Sequence, residues 1–164
     1  MSFREAIKVC FQKYFTFSGR ARRSEYWSFA LFCFLVSIIL HFLDKFLFDK
    51  GIYIPVTILG KSNAIGLGYI FDLGVLIPSL TVTVRRLHDI GKSGWFYLPL
   101  FIIGLLFPFI DETRLEILAY KTLGIRIAVS VVLLMFLAYV ILMLVWLFRD
   151  SEPDANRWGW NPKF

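Results

Sequence analysis

Apolar and polar positions along this chain are segregated into blocks. Four long runs are nearly free of charge, at residues 27–43 (WSFALFCFLVSIILHFL), 64–84 (AIGLGYIFDLGVLIPSLTVTV), 95–110 (WFYLPLFIIGLLFPFI) and 127–148 (IAVSVVLLMFLAYVILMLVWLF). A hydrocarbon core of ~30 Å needs ~20 apolar residues in a helix. The second and fourth runs meet that length, and the first and third fall slightly short. The third also carries Pro99 and Pro108, which predict a kink or a helix displaced toward one face. The pattern predicts an all-α membrane protein of four transmembrane helices in a single polytopic domain, residues 1–164, with a polar tail over 149–164.

A different period precedes the first run. Phe3, Ile7, Phe11 and Tyr14 recur every three or four residues, opposite Arg4, Lys8 and Gln12. Ser2 and Glu5 have capping-box spacing. This predicts a short basic amphipathic helix over about residues 2–17, lying in the headgroup plane. Ser18 and Gly19 then turn the chain toward the first span. No cleavable leader is expected, because charges interrupt the N-terminus every few residues; the first span reads as a retained signal anchor.

Composition agrees with the pattern. The chain is 58% hydrophobic, 18% aromatic and 18% charged, with mean hydropathy +0.68. A water-soluble domain is nearer half apolar and a quarter charged. The net charge of +6 is unevenly placed. With four spans both termini share a side, which takes Arg4, Lys8, Lys13, Arg20, Arg22, Arg23, Arg85, Arg86, Lys92, Arg149, Arg157 and Lys163. The other side takes Lys45, Lys50, Lys61, Arg114, Lys121 and Arg126. The basic excess marks the side of the termini as cytoplasmic, an N-in, C-in topology. All five tryptophans (Trp27, Trp95, Trp146, Trp158, Trp160) fall at or beyond that end of the spans, whereas the other end carries Phe46, Phe48, Tyr53, Phe107, Phe109 and Tyr120. The charge therefore speaks to membrane topology, and nucleic acid is not an expected partner.

Several fragments mimic catalytic motifs without completing them. Gly91-Lys92-Ser93 and Gly60-Lys61-Ser62 end like phosphate-binding loops, but the first glycine that such a loop needs falls at Arg86 and at Pro55. His88-Asp89 has too few companions for a metal centre, since the only other histidine, His41, lies at the far end of the first span. Cys10 and Cys33 form no CxxC pair, and no serine sits in a G-x-S-x-G elbow. No catalytic residue, metal or cofactor is expected, and the protein reads as non-enzymatic. Asp72 is the one acid inside a span; such groups are costly and often line an ion path. Around it, Gly66, Gly68 and Gly74 permit close helix approach.

Three segments resemble a known family: FTFSGRARRSEYW (15–27), VRRLHDIGKSGWF (84–96) and EPDANRWGWNP (152–162). Together they are similar to the domain-of-unknown-function 805 family of small bacterial inner-membrane proteins. Its pattern is close to F-x-G-R-x-x-R-x-x-[FY]-W, then R-R-L-H-D-x-G-x-S-G-W, then G-x-N-x-[FY]-G. The tail departs from it, with Asp154-Ala155-Asn156 and Trp158 where the family has an opening Gly and a Phe or Tyr. The resemblance implies a bacterial inner-membrane protein without an established activity, and no catalytic residues to carry over.

All three segments fall on the predicted cytoplasmic side. Arg20, Arg23, Arg85 and Arg86 offer planar donors, and Glu25, Asp89 and Asp154 offer acceptors. Residues 85–94 are expected to form a hairpin loop turned by Gly91 and Gly94, with His88 bonding its loop neighbours and Trp95 and Trp158 packed over the cluster. With Asn156 and Gly159 of the tail, these residues make up a candidate cap locking the helix ends. Its surplus of arginine would meet anionic lipid headgroups or a partner membrane protein, or a second copy of the chain. The alternative is a small transporter or channel subunit using Asp72.

Overall fold

A computed structural model describes residues 1–48, 54–58, 61–106 and 123–162 of the chain. The elements are α1 (Phe3–Gln12), α2 (Arg23–Phe48), β1 (Ile54–Ile58), β2 (Lys61–Ile65), α3 (Leu67–Asp89), a 3-10 turn (Gly94–Tyr97) running into α4 (Leu98–Leu106), and α5 (Leu123–Phe148). Among the described residues, three helices, α2, α3 and α5, are long and apolar enough to cross a membrane; the apolar helix over Gly94–Gly104 is shorter. The expected positions of Lys50, Tyr53, Phe107, Pro108, Phe109, Arg114, Tyr120, Lys121 and Lys163, and the end of the third run at residue 110, lie outside the described residues.

The helices depart from the hydropathy runs in informative ways. α2 starts four residues before Trp27 and ends five after Leu43. The second run does not begin as helix: Ala64 and Ile65 belong to β2, antiparallel to β1 with Ile54 opposite Ile65 and Ile58 opposite Lys61. Apart from this strand pair, the described elements are helical, joined by the irregular segments 13–22 and 149–162. α3 also continues past Val84 through Asp89, so Arg85, Arg86, His88 and Asp89 are not loop residues but its last turns. Pro99 sits in the first turn of α4, directly after the 3-10 turn, where an α-helix lacks partners for its own first N–H groups. The proline inside a long helix is Pro78 of α3.

α1 carries its capping box: the Ser2 hydroxyl accepts from the Glu5 N–H at 3.3 Å, and the Glu5 carboxylate accepts from the Ser2 N–H at 2.8 Å. The helix stops at Gln12, shorter than the amphipathic period suggested. Its buried residues are Ala6 and Cys10, whereas Phe3 and Phe11 of the large apolar face stay partly exposed. Small side chains let α1 seat closely, and Cys10 joins Ala21, Phe29 and Val82 in a core cluster. Phe11 packs edge-on against Phe29 and Phe32 of α2. A second cluster, Leu87, Ile90 and Met143, ties the end of α3 to α5.

The burial pattern inverts that of a water-soluble domain. Arg85 and Arg86 are among the largest fully buried side chains, while Leu, Ile, Val and Phe of α2 and α5 are widely exposed. Apolar side chains facing lipid lose nothing by exposure, so the interior is left for groups that hydrocarbon rejects.

Candidate functional site

The buried polar groups gather at one end of the helices, around Asp89. This last residue of α3 is 0% exposed. Its Oδ1 accepts from Arg20 Nε at 3.0 Å. Its Oδ2 accepts from the Ser151 hydroxyl at 2.5 Å and from Arg86 Nη1. Its backbone carbonyl accepts from Arg20 Nη2 at 3.2 Å and from the Glu152 N–H at 3.0 Å. One residue therefore binds the segment before α2, its own helix and the tail after α5.

Arg20 uses all three guanidinium nitrogens. Besides Asp89, Nη1 donates to the carbonyls of Asp154 (2.8 Å) and Gly159 (3.3 Å), and Nη2 to that of Glu152 (2.7 Å). Arg86 donates from Nε to the Leu147 carbonyl at 3.2 Å and from Nη2 to that of Arg149. Those carbonyls close α5, where a helix has unpaired acceptors and a negative dipole end. Arg23 adds an exposed donor to the Phe148 carbonyl at 3.4 Å. Burying a guanidinium is costly unless it is paired and hydrogen-bonded, and for Arg20 and Arg86 the end of α5 and the tail supply the carbonyls.

Arg85 is a separate arm. Its Nη1 donates to Glu25 Oε1 at 2.6 Å, and both side chains are buried. Its backbone carbonyl accepts from the Ala21 N–H at 3.0 Å. Cys10 lies within reach of this pair. Burial, and then the charge of Glu25, push its thiol up to about 12, with Arg85 opposing.

The turn after α3 is set by glycine. Gly91 has φ +73°, and the Gly91 and Lys92 N–H groups donate back to His88 (3.1 Å) and Leu87 (2.9 Å), a Schellman closure. A Cβ on Gly91 would stand 2.0 Å from Glu152 Oε1, and one on Gly94 would stand 2.6 Å from Val84 Cγ1. The tail folds over this turn. Asn156 donates to the His88 carbonyl (2.9 Å) and to Glu152 (2.8 Å), and it pairs with Gly159 through both backbone groups. His88 Nδ1–H donates to the Gly19 carbonyl at 3.2 Å, and its ring stacks on Trp158 at 4.4 Å.

Three expected members stand elsewhere. Trp95 is 76% exposed and does not cover the cluster, because the 3-10 turn beginning at Gly94 carries it away. Asp154 contributes its carbonyl, with its side chain outward. Arg23 pairs with Asp150 at the surface, 2.8 Å apart. Sequence reasoning missed Ser151, Glu152, Asn161 and Cys10. Glu152 and Asn161 lay inside the tail segment already singled out, but their role there is to fold the tail, as Asn161 donates to the Glu152 carbonyl at 2.9 Å.

At the other end of the helices, Asp72 is not isolated. It accepts from the Ser37 hydroxyl at 2.8 Å, and His41 Nε2 stands 3.6 Å from its other oxygen. Nearby, Asp44 of α2 accepts the N–H groups of Leu67 and Gly68, 2.7 Å each, and so caps α3 from a neighbouring helix. A Cβ on Gly66 or Gly68 would collide with Asp44 or His41, which is why these glycines stand there. Among the described residues no three His, Cys, Asp or Glu side chains come together as a metal site.

The family described as "Protein of unknown function (DUF805)" matches residues 14–160. The inner membrane protein YhaI of Escherichia coli K12 is 28% identical over 153 residues, covering 93% of this chain and 91% of that protein. The inner membrane protein YhaH of the same strain is 38% identical over 102 residues, 60% of this chain and 70% of that protein. No solved structure matches. The matched range takes in every residue of the arginine cap except Cys10 and Asn161, and the chain is a membrane protein that belongs to the DUF805 family.

Proposed function

We propose that the protein is a non-enzymatic inner-membrane scaffold, with both termini cytoplasmic, four membrane-inserted helical segments and a cap that ties their cytoplasmic ends together. The observation that carries this reading is the fully buried carboxylate of Asp89, shared by Arg20, Arg86 and Ser151. Because Arg20, Arg85 and Arg86 are buried inside the cap, the lipid-facing charge falls to other residues. Arg4, Lys8 and Lys13 are exposed on and just after α1, beside the exposed rings of Phe3, Phe11, Phe15 and Phe17. Basic groups at the surface attract anionic lipid at about 1 kcal/mol each, and the rings add apolar insertion.

The test is thermal unfolding in nanodiscs with and without phosphatidylglycerol. The wild type should be more stable with the anionic lipid. Replacing Arg4, Lys8 and Lys13 by Gln should remove that difference and leave stability in phosphatidylcholine unchanged. Equal stability of the wild type in both lipids contradicts the lipid reading.

A second reading, a small transporter or channel subunit using Asp72, is favoured by the Ser37 and His41 contacts and by a cavity of about 340 Å³ beside Asp72. Asp72→Asn should abolish proton- or ion-coupled flux in proteoliposomes under this reading and leave it unchanged under the first.

A further inference from the structure

A gap of about 340 Å³ lies between α3 and α4. Its α3 wall is Asp72, Val75, Leu76, Ser79 and Leu80, whose three- and four-residue spacing puts them on one helix face. Its other wall is Tyr97, Leu100, Phe101 and Gly104, again one face. α4 runs back along α3, because Gly94 seats directly on Val84, where an added Cβ would stand 2.6 Å from Val84 Cγ1. Asp72 and Gly104 therefore mark the end of the gap away from the cap, and Leu80 and Tyr97 mark the end toward it. A Cβ on Gly104 would meet no neighbouring atom within 4 Å. The space beside α4 is thus open at the end that holds Asp72.

Among the described residues lining the gap, Asp72 is the charged one. On the α2 side its carboxylate accepts from the Ser37 hydroxyl at 2.8 Å. His41 Nε2 stands 3.6 Å from the other oxygen, beyond hydrogen-bond reach. The Asp72 side chain is nevertheless 45% exposed, and on the α4 side it looks onto the gap. The body of the gap, between Val75, Leu76, Leu80, Leu100 and Phe101, is apolar.

An acid at one end and apolar walls along the rest select an occupant by charge and by shape. A lipid chain would suit the walls and leave the carboxylate in hydrocarbon, which is costly. An anionic head would be repelled. A bare inorganic cation would meet the acid and leave the walls uncovered. An organic cation with an apolar body meets both, and the Phe101 and Tyr97 rings add faces that attract a cation. Apolar walls with a few well-placed polar groups are the usual form of a small-molecule site. We infer that the gap between α3 and α4 binds a membrane-soluble amphipathic organic cation, with its charged head at Asp72 and its apolar body lying between the two helices. The inference takes Asp72 from the transport reading above and names its ligand class; binding itself does not require that the cation cross the membrane.

The experiment is equilibrium dialysis of labelled octyltrimethylammonium against the full-length protein in nanodiscs, with empty nanodiscs subtracted. The probe holds its charge at every pH. The wild type should bind it saturably. Octanol and octyl sulfate, which carry the same chain on a neutral and an anionic head, should not displace it. Asp72→Asn should weaken binding by about tenfold or more. Gly104→Leu fills the open end and should also weaken binding, with thermal unfolding unchanged. Affinity that is unchanged in Asp72→Asn overturns the proposal. So does displacement by octanol as effective as by unlabelled probe, which would make the gap a crevice for any hydrocarbon. Should Asp72→Asn fail to fold, Gly104→Leu decides, and an unaltered affinity there refutes the site. Asp72-dependent binding without flux of the cation in proteoliposomes would keep the site and reject the transport reading. Asp72-dependent flux of protons or inorganic ions without saturable binding of the probe would do the reverse.

Discussion

The Tyr14 hydroxyl donates to the Gly74 carbonyl at 2.7 Å, across 60 positions of sequence. Gly74 stands four residues before Pro78, whose ring nitrogen has no hydrogen to offer it. The opened hydrogen bond of α3 is thus closed from outside by the segment following α1. Nearby, the Thr81 hydroxyl donates to the Pro78 carbonyl at 3.0 Å.

Tyr14→Phe keeps the ring and removes this donor. It should cost about 1 kcal/mol and speed amide exchange in α3 around Gly74–Pro78. Hydrogen exchange by mass spectrometry reads both. Unchanged protection across that stretch would mean that the Tyr14 bond does not support the helix.

Gly91 answers for two demands at once, a left-handed backbone and a space that Glu152 fills. Gly91→Ala should destabilise by about 1–2 kcal/mol from the backbone alone, and more from displacing Glu152. Glu152→Ala should relieve the second part and not the first, so the double variant should be less destabilised than the sum. Strict additivity in thermal unfolding would separate the two residues.

Cys10 reports the seating of α1. Its thiol is held neutral by burial, so maleimide labelling near pH 7 should be slow. A bulky substitution at its buried neighbour, Ala6→Trp, should unseat α1 and accelerate labelling severalfold. The sign of the pH effect follows from a value raised from 9.0 to about 12. Below pH 9 the thiol is protonated whether α1 is seated or not, and docking is unaffected. As pH climbs from there toward 12, the released state loses its proton first, and docking weakens. Cys10→Ala should abolish that alkaline dependence.

The sequence disclosed the lipid-facing surfaces well, because apolar runs are what hydrocarbon selects. It also pointed to the meeting of residues 15–27, 84–96 and 152–162, because the placement of the runs puts all three at one end. It misread Arg85–Asp89 as a loop. Hydropathy ends a span at the first charge, but these charges are taken up by distant partners: Arg85 by Glu25, Arg86 by the carbonyls of Leu147 and Arg149, and Asp89 by Arg20 and Ser151, each 60 or more residues away. No local pattern announces such partners. Trp95 was misplaced for a related reason: its direction is set by a 3-10 turn that periodicity does not reveal. Asp44 was passed over because a helix cap supplied by another helix has no spacing signature.

Asp89 carries the account. With Asp89→Ala, Arg20 and Arg86 lose their shared anion while remaining buried, a change that typically costs about 3–5 kcal/mol. Asp150→Ala, which breaks the exposed pair with Arg23, should cost about 0.2–1 kcal/mol. Thermal unfolding of the two variants side by side in phosphatidylcholine nanodiscs is the direct measurement. A large loss of stability for Asp89→Ala beside a small one for Asp150→Ala is the predicted result, and equal, small losses for both would contradict the cap.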